Sequence, residues 1–135
     1  MKLARKGNRI LLVDDETDIT TTLKIALEDA GFIVHPYNDP LIALSEFKPG
    51  YYDLVILDIK MEEMNGFELY ANMRKVDNQV KFCFITAGEM YYEVRKEKRE
   101  EGEGSYCKLN TERFLQKPFS NVDLLERINK VMMQR

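Results

Sequence analysis

A chain of 135 residues, 44% hydrophobic and 32% charged, is expected to fold as one globular domain, with no room for a second catalytic or DNA-binding module. At this length roughly 68% of the unfolded surface is buried on folding, so neither a disulfide framework nor a structural metal is required. Asp and Glu number 23 against 20 Lys and Arg, a net charge of −3, which disfavours broad binding to nucleic acid or anionic membranes.

Lys2, Arg5, Lys6 and Arg9 make the start of the chain basic, and it reads as a frayed, solvated terminus. A first strand is expected from Arg9 to Val13, where Ile10-Leu11-Leu12-Val13 is the continuous apolar run of a strand buried on both faces of a parallel sheet. Ile19, Leu23, Ala26, Leu27 and Ala30 then recur at helical spacing, and Gly31 stands where a helix ends on glycine. The second strand, Ile33 to Tyr37, carries His35, the only histidine; near the strand end and away from the polar residues below, its default role is structural or surface. Asp39-Pro40 supplies the N-cap and first residue of a helix through Leu41, Leu44 and Phe47, closed by Pro49-Gly50. Leu54 to Leu57 is the third strand, and Asn65-Gly66 opens a helix with Phe67, Tyr70 and Ala71 on one side.

The fourth strand is Lys81 to Ile85, with Cys83 a buried reduced thiol. Cys107 is far from it, and no zinc or redox cysteine motif is written. Beyond Thr86, the stripe Met90, Tyr91, Val94 gives way to mixed charge from Arg95 to Glu103, the pattern of a solvated helix face or arm. Gly102 and Gly104 would end that helix, and Tyr106 and Leu109 would tuck the returning chain against the body. Arg113 to Gln116 is the fifth strand. Ser120 with Asp123 resembles a capping box for a last helix striped by Leu124, Leu125, Ile128, Val131 and Met132. No apolar stretch suits a membrane span or a signal peptide, so the expected compartment is the cytoplasm. Strand and helix alternate throughout, which predicts an α/β three-layer sandwich with parallel strands and right-handed crossovers.

In an open α/β sheet, ligands sit outside the carboxyl ends of the strands. The first strand ends in Asp14-Asp15-Glu16, the third in Asp58, the fourth in Thr86 and the fifth in Lys117-Pro118. Two unit charges about 4 Å apart repel by roughly 4 kcal/mol at an effective dielectric of 20, so clustered carboxylates need a counter-ion. A few protein oxygens suit Mg²⁺, which keeps waters and shares its shell with phosphate. The metal and Lys117 together would neutralise a phosphoryl group beside a carboxylate nucleophile, Thr86 would hydrogen-bond it, and small Ala87 leaves room for it. An acidic dipeptide before a helix, or a Lys-Pro, is unremarkable alone. Four such signals in order, each at a strand end, are not.

On these residues the chain resembles the receiver domains of two-component response regulators, from about Asn8 to Met133. The resemblance implies a flavodoxin-like, doubly wound five-stranded sheet in the order 2-1-3-4-5. It implies that Asp14 and Asp15 form the acidic metal pair, Asp58 the phosphoacceptor and the Lys60 main-chain carbonyl a further ligand for Mg²⁺, with Mn²⁺ as a substitute. Thr86 would be the switch hydroxyl, Phe114 the switch aromatic and Lys117 the invariant-type lysine, its bond to Pro118 cis as is usual in the family. Asp58-Ile59-Lys60-Met61 with Met64-Asn65-Gly66 fits the family loop, except that Glu62 stands at its usual proline. The Lys60 side chain would overlook the phosphoryl pocket.

A single receiver over residues 1–135 is therefore expected, its core about 8–133, with a charged insertion at about 95–105 lengthening the segment between Thr86 and Lys117. It would take a phosphoryl group from a sensor histidine kinase or phosphotransfer protein and signal to a downstream protein through its own surface, without direct nucleic-acid contact or membrane insertion. That is a signalling module that assists its own modification, not an enzyme. The rivals are an Mg²⁺-dependent aspartyl-phosphate phosphatase, which wants an acid where Lys60 stands, an FMN carrier, which the acidic first loop opposes, and a pseudo-receiver scaffold.

Overall fold

The computed structural model describes residues 8–87 and 113–133. Within them five parallel strands, β1 (Arg9–Val13), β2 (Ile33–Tyr37), β3 (Leu54–Asp58), β4 (Lys81–Thr86) and β5 (Phe114–Gln116), form one sheet in the order β2-β1-β3-β4-β5. The described helices are α1 (Thr17–Asp29), α2 (Pro40–Glu46), α3 (Gly66–Val76) and α4 (Asn121–Met133).

Side chains alternate across the sheet, so each strand feeds two cores. Leu11, Val13, Val55, Leu57, Phe82 and Phe84 pack with Ala43 of α2 and Phe67, Leu69 and Met73 of α3. Ile10, Leu12, Leu54, Ile56, Cys83 and Ile85 pack with Leu23 and Leu27 of α1 and Leu124, Ile128 and Val131 of α4. The sheet is thus covered on both faces, which explains why its central strands are apolar without alternation. Each Leu or Ile of those strands is completely buried and contributes on the order of 2 kcal/mol of hydrophobic stabilisation.

Helix starts follow local chemistry. The Asp39 carboxylate accepts the amides of Leu41 and Ile42 at 2.9 and 3.4 Å. Asn65 and Glu68 form a reciprocal capping box at 2.8 and 3.0 Å, and Ser120 and Asp123 form another at 3.0 and 3.2 Å. Gly31 takes φ 103, the left-handed conformation that closes α1. β3 and β4 each run one residue further than expected, taking in Asp58 and Thr86. α2 ends one residue early, because Phe47 leaves the helix in extended backbone (φ −68, ψ 128) and turns into the core. β5 begins at Phe114 rather than Arg113. The expected arm at about 95–105, with Met90, Tyr91, Val94, Tyr106, Leu109 and Cys107, lies outside the described residues, as do Lys2, Arg5 and Lys6. No helix among the described residues is long and apolar enough to cross a membrane.

Candidate functional site

The ladder register decides which residues share the rim. Val13 pairs with Leu57, Asp58 with Ile85 and Thr86 with Gln116. Asp14 and Lys117, each directly after a strand, therefore leave the sheet at the edge where Asp58 and Thr86 end theirs. The parallel arrangement brings these residues together from positions far apart in the chain.

One carboxylate oxygen each from Asp14, Asp15 and Asp58 lies within 4.8 Å of the others. Asp14 is fully buried, Asp58 is 5% exposed and Asp15 is exposed. Asp14 Oδ1 accepts the Glu16 amide at 2.9 Å, which makes the Asp14-to-Glu16 loop a tight turn. Asp14 Oδ2 is buried and, among the described residues, accepts no hydrogen bond. Lys117 Nζ reaches between the two buried carboxylates, 3.7 Å from Asp14 Oδ2 and 3.9 Å from Asp58 Oδ1. Those lengths place a cation near both without giving either a short bond. A buried carboxylate oxygen left without a donor, facing two further carboxylates, fits a hard divalent cation with oxygen ligands.

The electrostatics carry the same strain. Burial, then the neighbouring Asp14 charge, push the Asp58 carboxyl up to about 7, against the pull of Lys117. Asp14 is likewise raised by burial, with the Glu16 amide and Lys117 opposing. Desolvation and like charge both disfavour two ionised acids here. A metal or a protein cation is the remedy such a site calls for.

The loop after β3 is built tightly against the site. The Gly66 amide donates to the Ile59 carbonyl at 2.8 Å. A Cβ on Gly66 would meet the Asp58 carbonyl oxygen at 2.5 Å and the Ile59 Cα at 2.9 Å, both backbone atoms. Read in the sequence as a turn signal, this glycine also lets α3 start against the end of β3. Lys60 and Glu62 are exposed on the intervening loop.

Thr86 is fully buried, with its hydroxyl donating to the Ala87 carbonyl at 3.0 Å, and its own carbonyl accepts the Lys117 amide at 2.8 Å. Ala87 is exposed. The Lys117–Pro118 bond is cis. Phe114 is 5% exposed and stacks on Phe84, with ring centroids 5.2 Å apart and Phe67 at 6.3 Å. It lies inside the α3-side core, two residues back from the strand end. His35 sits in mid-strand rather than near its end, edge-on to Tyr51 and Tyr52 at 5.8 and 5.6 Å, and takes no part in the rim. Cys83 is a buried free thiol that burial pushes up to about 12, which leaves it unreactive.

One residue beside the site carries no signal in the sequence. Asn38, just past β2, donates to the Asp14 carbonyl at 2.7 Å and to Thr20 Oγ1 at 3.0 Å. An Asn before an Asp-Pro helix start looks like an ordinary loop residue. Only the parallel pairing of β1 with β2 brings it against the acidic turn.

Comparison with known proteins agrees with this geometry. The family model described as the response regulator receiver domain matches residues 10–129. Over 125 residues the chain is 34% identical to the transcriptional regulatory protein CpxR homolog of Haemophilus influenzae, covering 93% of this chain and 50% of that protein. It is 27% identical to the transcriptional regulatory protein CusR of Escherichia coli, covering 92% of this chain and 51% of the relative. The chain thus spans about half the length of these curated relatives. Among solved structures, the non-phosphorylated HemR receiver domain of Leptospira biflexa superposes with a TM-score of 0.74 at 30% identity, over 95% of this chain and 96% of that one. The chemotaxis protein CheY4 of Vibrio cholerae gives a TM-score of 0.69 at 26% identity, over 92% and 98%. With the acidic rim, the strand order and a family match along most of its length, this chain belongs to the response regulator receiver domain family.

Proposed function

We propose that Asp58 is the phosphoryl acceptor of a phosphorylation-controlled switch. The observation that carries this reading is the convergence of Asp14, Asp15, Asp58 and Lys117 at one strand-end rim. A carboxylate oxygen of Asp58 attacks phosphorus, a new P–O bond forms, and the P–N bond to the donor imidazole breaks as the imidazole leaves. With acetyl phosphate as donor, acetate leaves instead. Lys117, between the two buried carboxylates, is placed to pair with the incoming phosphoryl oxygens. Asp14, Asp15, Asp58 and the Lys60 carbonyl would hold Mg²⁺, or Mn²⁺ in its place. When bound, the ion supplies positive charge that keeps Asp58 ionised and offsets charge on the transferred group.

Thr86 is the hydroxyl at the rim that would follow the phosphoryl group, exchanging its bond to the Ala87 carbonyl for one to a phosphoryl oxygen. The phosphoryl group carries about −1.5 to −2 at pH 7 in place of the single carboxylate charge, and that local change in charge and acceptor oxygens drives the switch. Phe114 lies on the strand that follows, packed on Phe84, and its repacking would carry the signal to the surface. The donor is a sensor histidine kinase or a phosphotransfer protein, the setting is the cytoplasm, and residues 1–135 form a single receiver with its core at about 8–133. Because the product is the modified chain itself, the domain acts as a signalling module rather than a turnover enzyme. Lys60, exposed where an aspartyl-phosphate phosphatase needs a general acid, supports that distinction.

Incubation with acetyl phosphate tests the proposal by intact-mass measurement. One added phosphoryl group with Mg²⁺, and none after chelation, is the expected result. A mass unchanged under both conditions would refute it.

A further inference from the structure

The acidic turn that forms half of the rim is held in place from the side. The Asp14 amide donates to the Tyr37 carbonyl at 3.1 Å, and the Asp14 carbonyl accepts Asn38 Nδ2 at 2.7 Å. The same Asn38 amide group donates to Thr20 Oγ1 at 3.0 Å. The buried Thr20 hydroxyl in turn donates to the Thr17 carbonyl at 3.0 Å. Thr17 and Thr20 belong to the first turn of α1, so one side chain ties the end of β1, the start of α1 and the exit of β2 together.

The consequence follows from peptide geometry. The unit joining Asp14 to Asp15 is planar and rigid, so holding its oxygen places the amide and Cα of Asp15. The Glu16 amide bond to Asp14 Oδ1 restrains the backbone on the other side of that residue. Glu16, the N-cap of α1, makes no side-chain cap bond, and its amide is instead taken by Asp14 Oδ1 at 2.9 Å. The turn therefore draws its order from Tyr37, from Asn38 and from the Asp14 carboxylate. What remains directed at the rim is Asp14 Oδ2 and the carboxylate of Asp15.

We propose that Asn38 is a positioning residue for divalent-cation binding, holding the Asp14-Asp15 backbone so that both carboxylates converge with Asp58, and that Thr20 holds Asn38. This rests on the reading of the rim as a metal site. Groups that orient metal ligands tune affinity without touching the ion. Asn38 is itself exposed, so its contribution is about that of one net hydrogen bond.

The test is calorimetric titration of Mg²⁺ into the full chain at pH 8, with no phosphodonor present. Asn38→Ala is expected to weaken Mg²⁺ binding by roughly three- to tenfold, the equivalent of one net hydrogen bond. Thr20→Val, which keeps the shape but loses the hydroxyl, weakens it in the same direction by less. Asp39→Ala removes the neighbouring helix cap and controls for general loosening, and it should bind Mg²⁺ as the wild type does. Undiminished affinity in Asn38→Ala overturns the inference, and so does an equal loss in Asp39→Ala. If Asn38→Ala does not fold, Thr20→Val decides, and unchanged affinity there overturns it. A wild type that takes up no Mg²⁺ removes the metal-site reading itself, whereas normal wild-type binding with unaffected variants removes only the role of Asn38.

Discussion

Replacing Asp58 with Asn should stabilise the protein in the absence of metal, although it removes the proposed acceptor. The carboxyl is raised from its ordinary 3.8 to about 7, by burial first and by Asp14 second. At about 1.36 kcal/mol per pH unit, that rise sets a ceiling of about 4 kcal/mol on the cost of holding Asp58 ionised in the fold. That ceiling already includes the pull of Lys117, 3.9 Å away; an amide buried in place of the carboxyl costs about 1–3 kcal/mol, so a net gain of about 2 kcal/mol is the expectation. For a domain of this length that is a rise of about 7 °C in Tm. The sign is set by linkage: a carboxyl whose folded pKa lies above its unfolded one costs nothing when protonated in both states. Its penalty grows as pH rises from about 4 to about 7 and is constant above. Urea or thermal melts of wild type and Asp58→Asn without divalent metal should therefore show the variant ahead at pH 8 and without that advantage near pH 4. Mg²⁺ should narrow the gap by stabilising the wild type more. A variant that melts at or below wild type at pH 8, or whose advantage is the same at pH 4, would show that the buried Asp58 charge is not what costs stability.

Gly66→Ala forces a Cβ onto the Asp58 carbonyl and Ile59 Cα, and should cost about 1–3 kcal/mol in a urea melt while slowing phosphorylation; an unchanged midpoint would show that the loop yields freely. Asp77 accepts the amides of Gly50, Gln79 and Val80 at 2.8, 2.8 and 3.2 Å. Burial alone would raise this carboxyl, but those bonds hold it below the usual range. Asp77→Asn should destabilise by about 1–2 kcal/mol at pH 7, with the difference shrinking as pH falls through the depressed pKa of Asp77; a pH-independent difference would argue against charge as its origin. Lys60→Ala should speed loss of the phosphoryl group if the ammonium screens it from water, and an unchanged dephosphorylation rate, followed by mass spectrometry, would dismiss that role.

Much of this fold was legible because its signals are local. Ile10 to Val13 and Leu54 to Leu57 are apolar without alternation, which only a sheet covered on both faces explains. Asp39-Pro40 and Ser120 with Asp123 announce their helices through backbone amides that need acceptors. The rim was legible for a different reason: in parallel sheets the carboxyl ends share an edge, so Asp14, Asp58, Thr86 and Lys117 meet if each ends a strand. What stayed hidden depends on contacts between distant segments. Asn38 acquires its partners from the pairing of β1 with β2, and Gly66 its neighbours from the return of α3 onto β3. Asp77 gains the Gly50 amide from a loop 27 residues earlier. Each reads alone as a loop polar residue or a turn glycine. The inward packing of Phe114 on Phe84 similarly depends on the β4–β5 register, in which the two are paired.

Asp58 itself is expected to carry the phosphoryl group. An acyl phosphate reacts with borohydride and leaves homoserine in place of the modified aspartate, so the site can be read from peptide masses. Protein treated with acetyl phosphate and Mg²⁺, reduced and digested, should show homoserine at position 58 and at no other acidic residue, with the signal lost in Asp58→Asn. Homoserine at Asp14, at Asp15 or elsewhere in the wild type, or its persistence in the variant, would contradict the account.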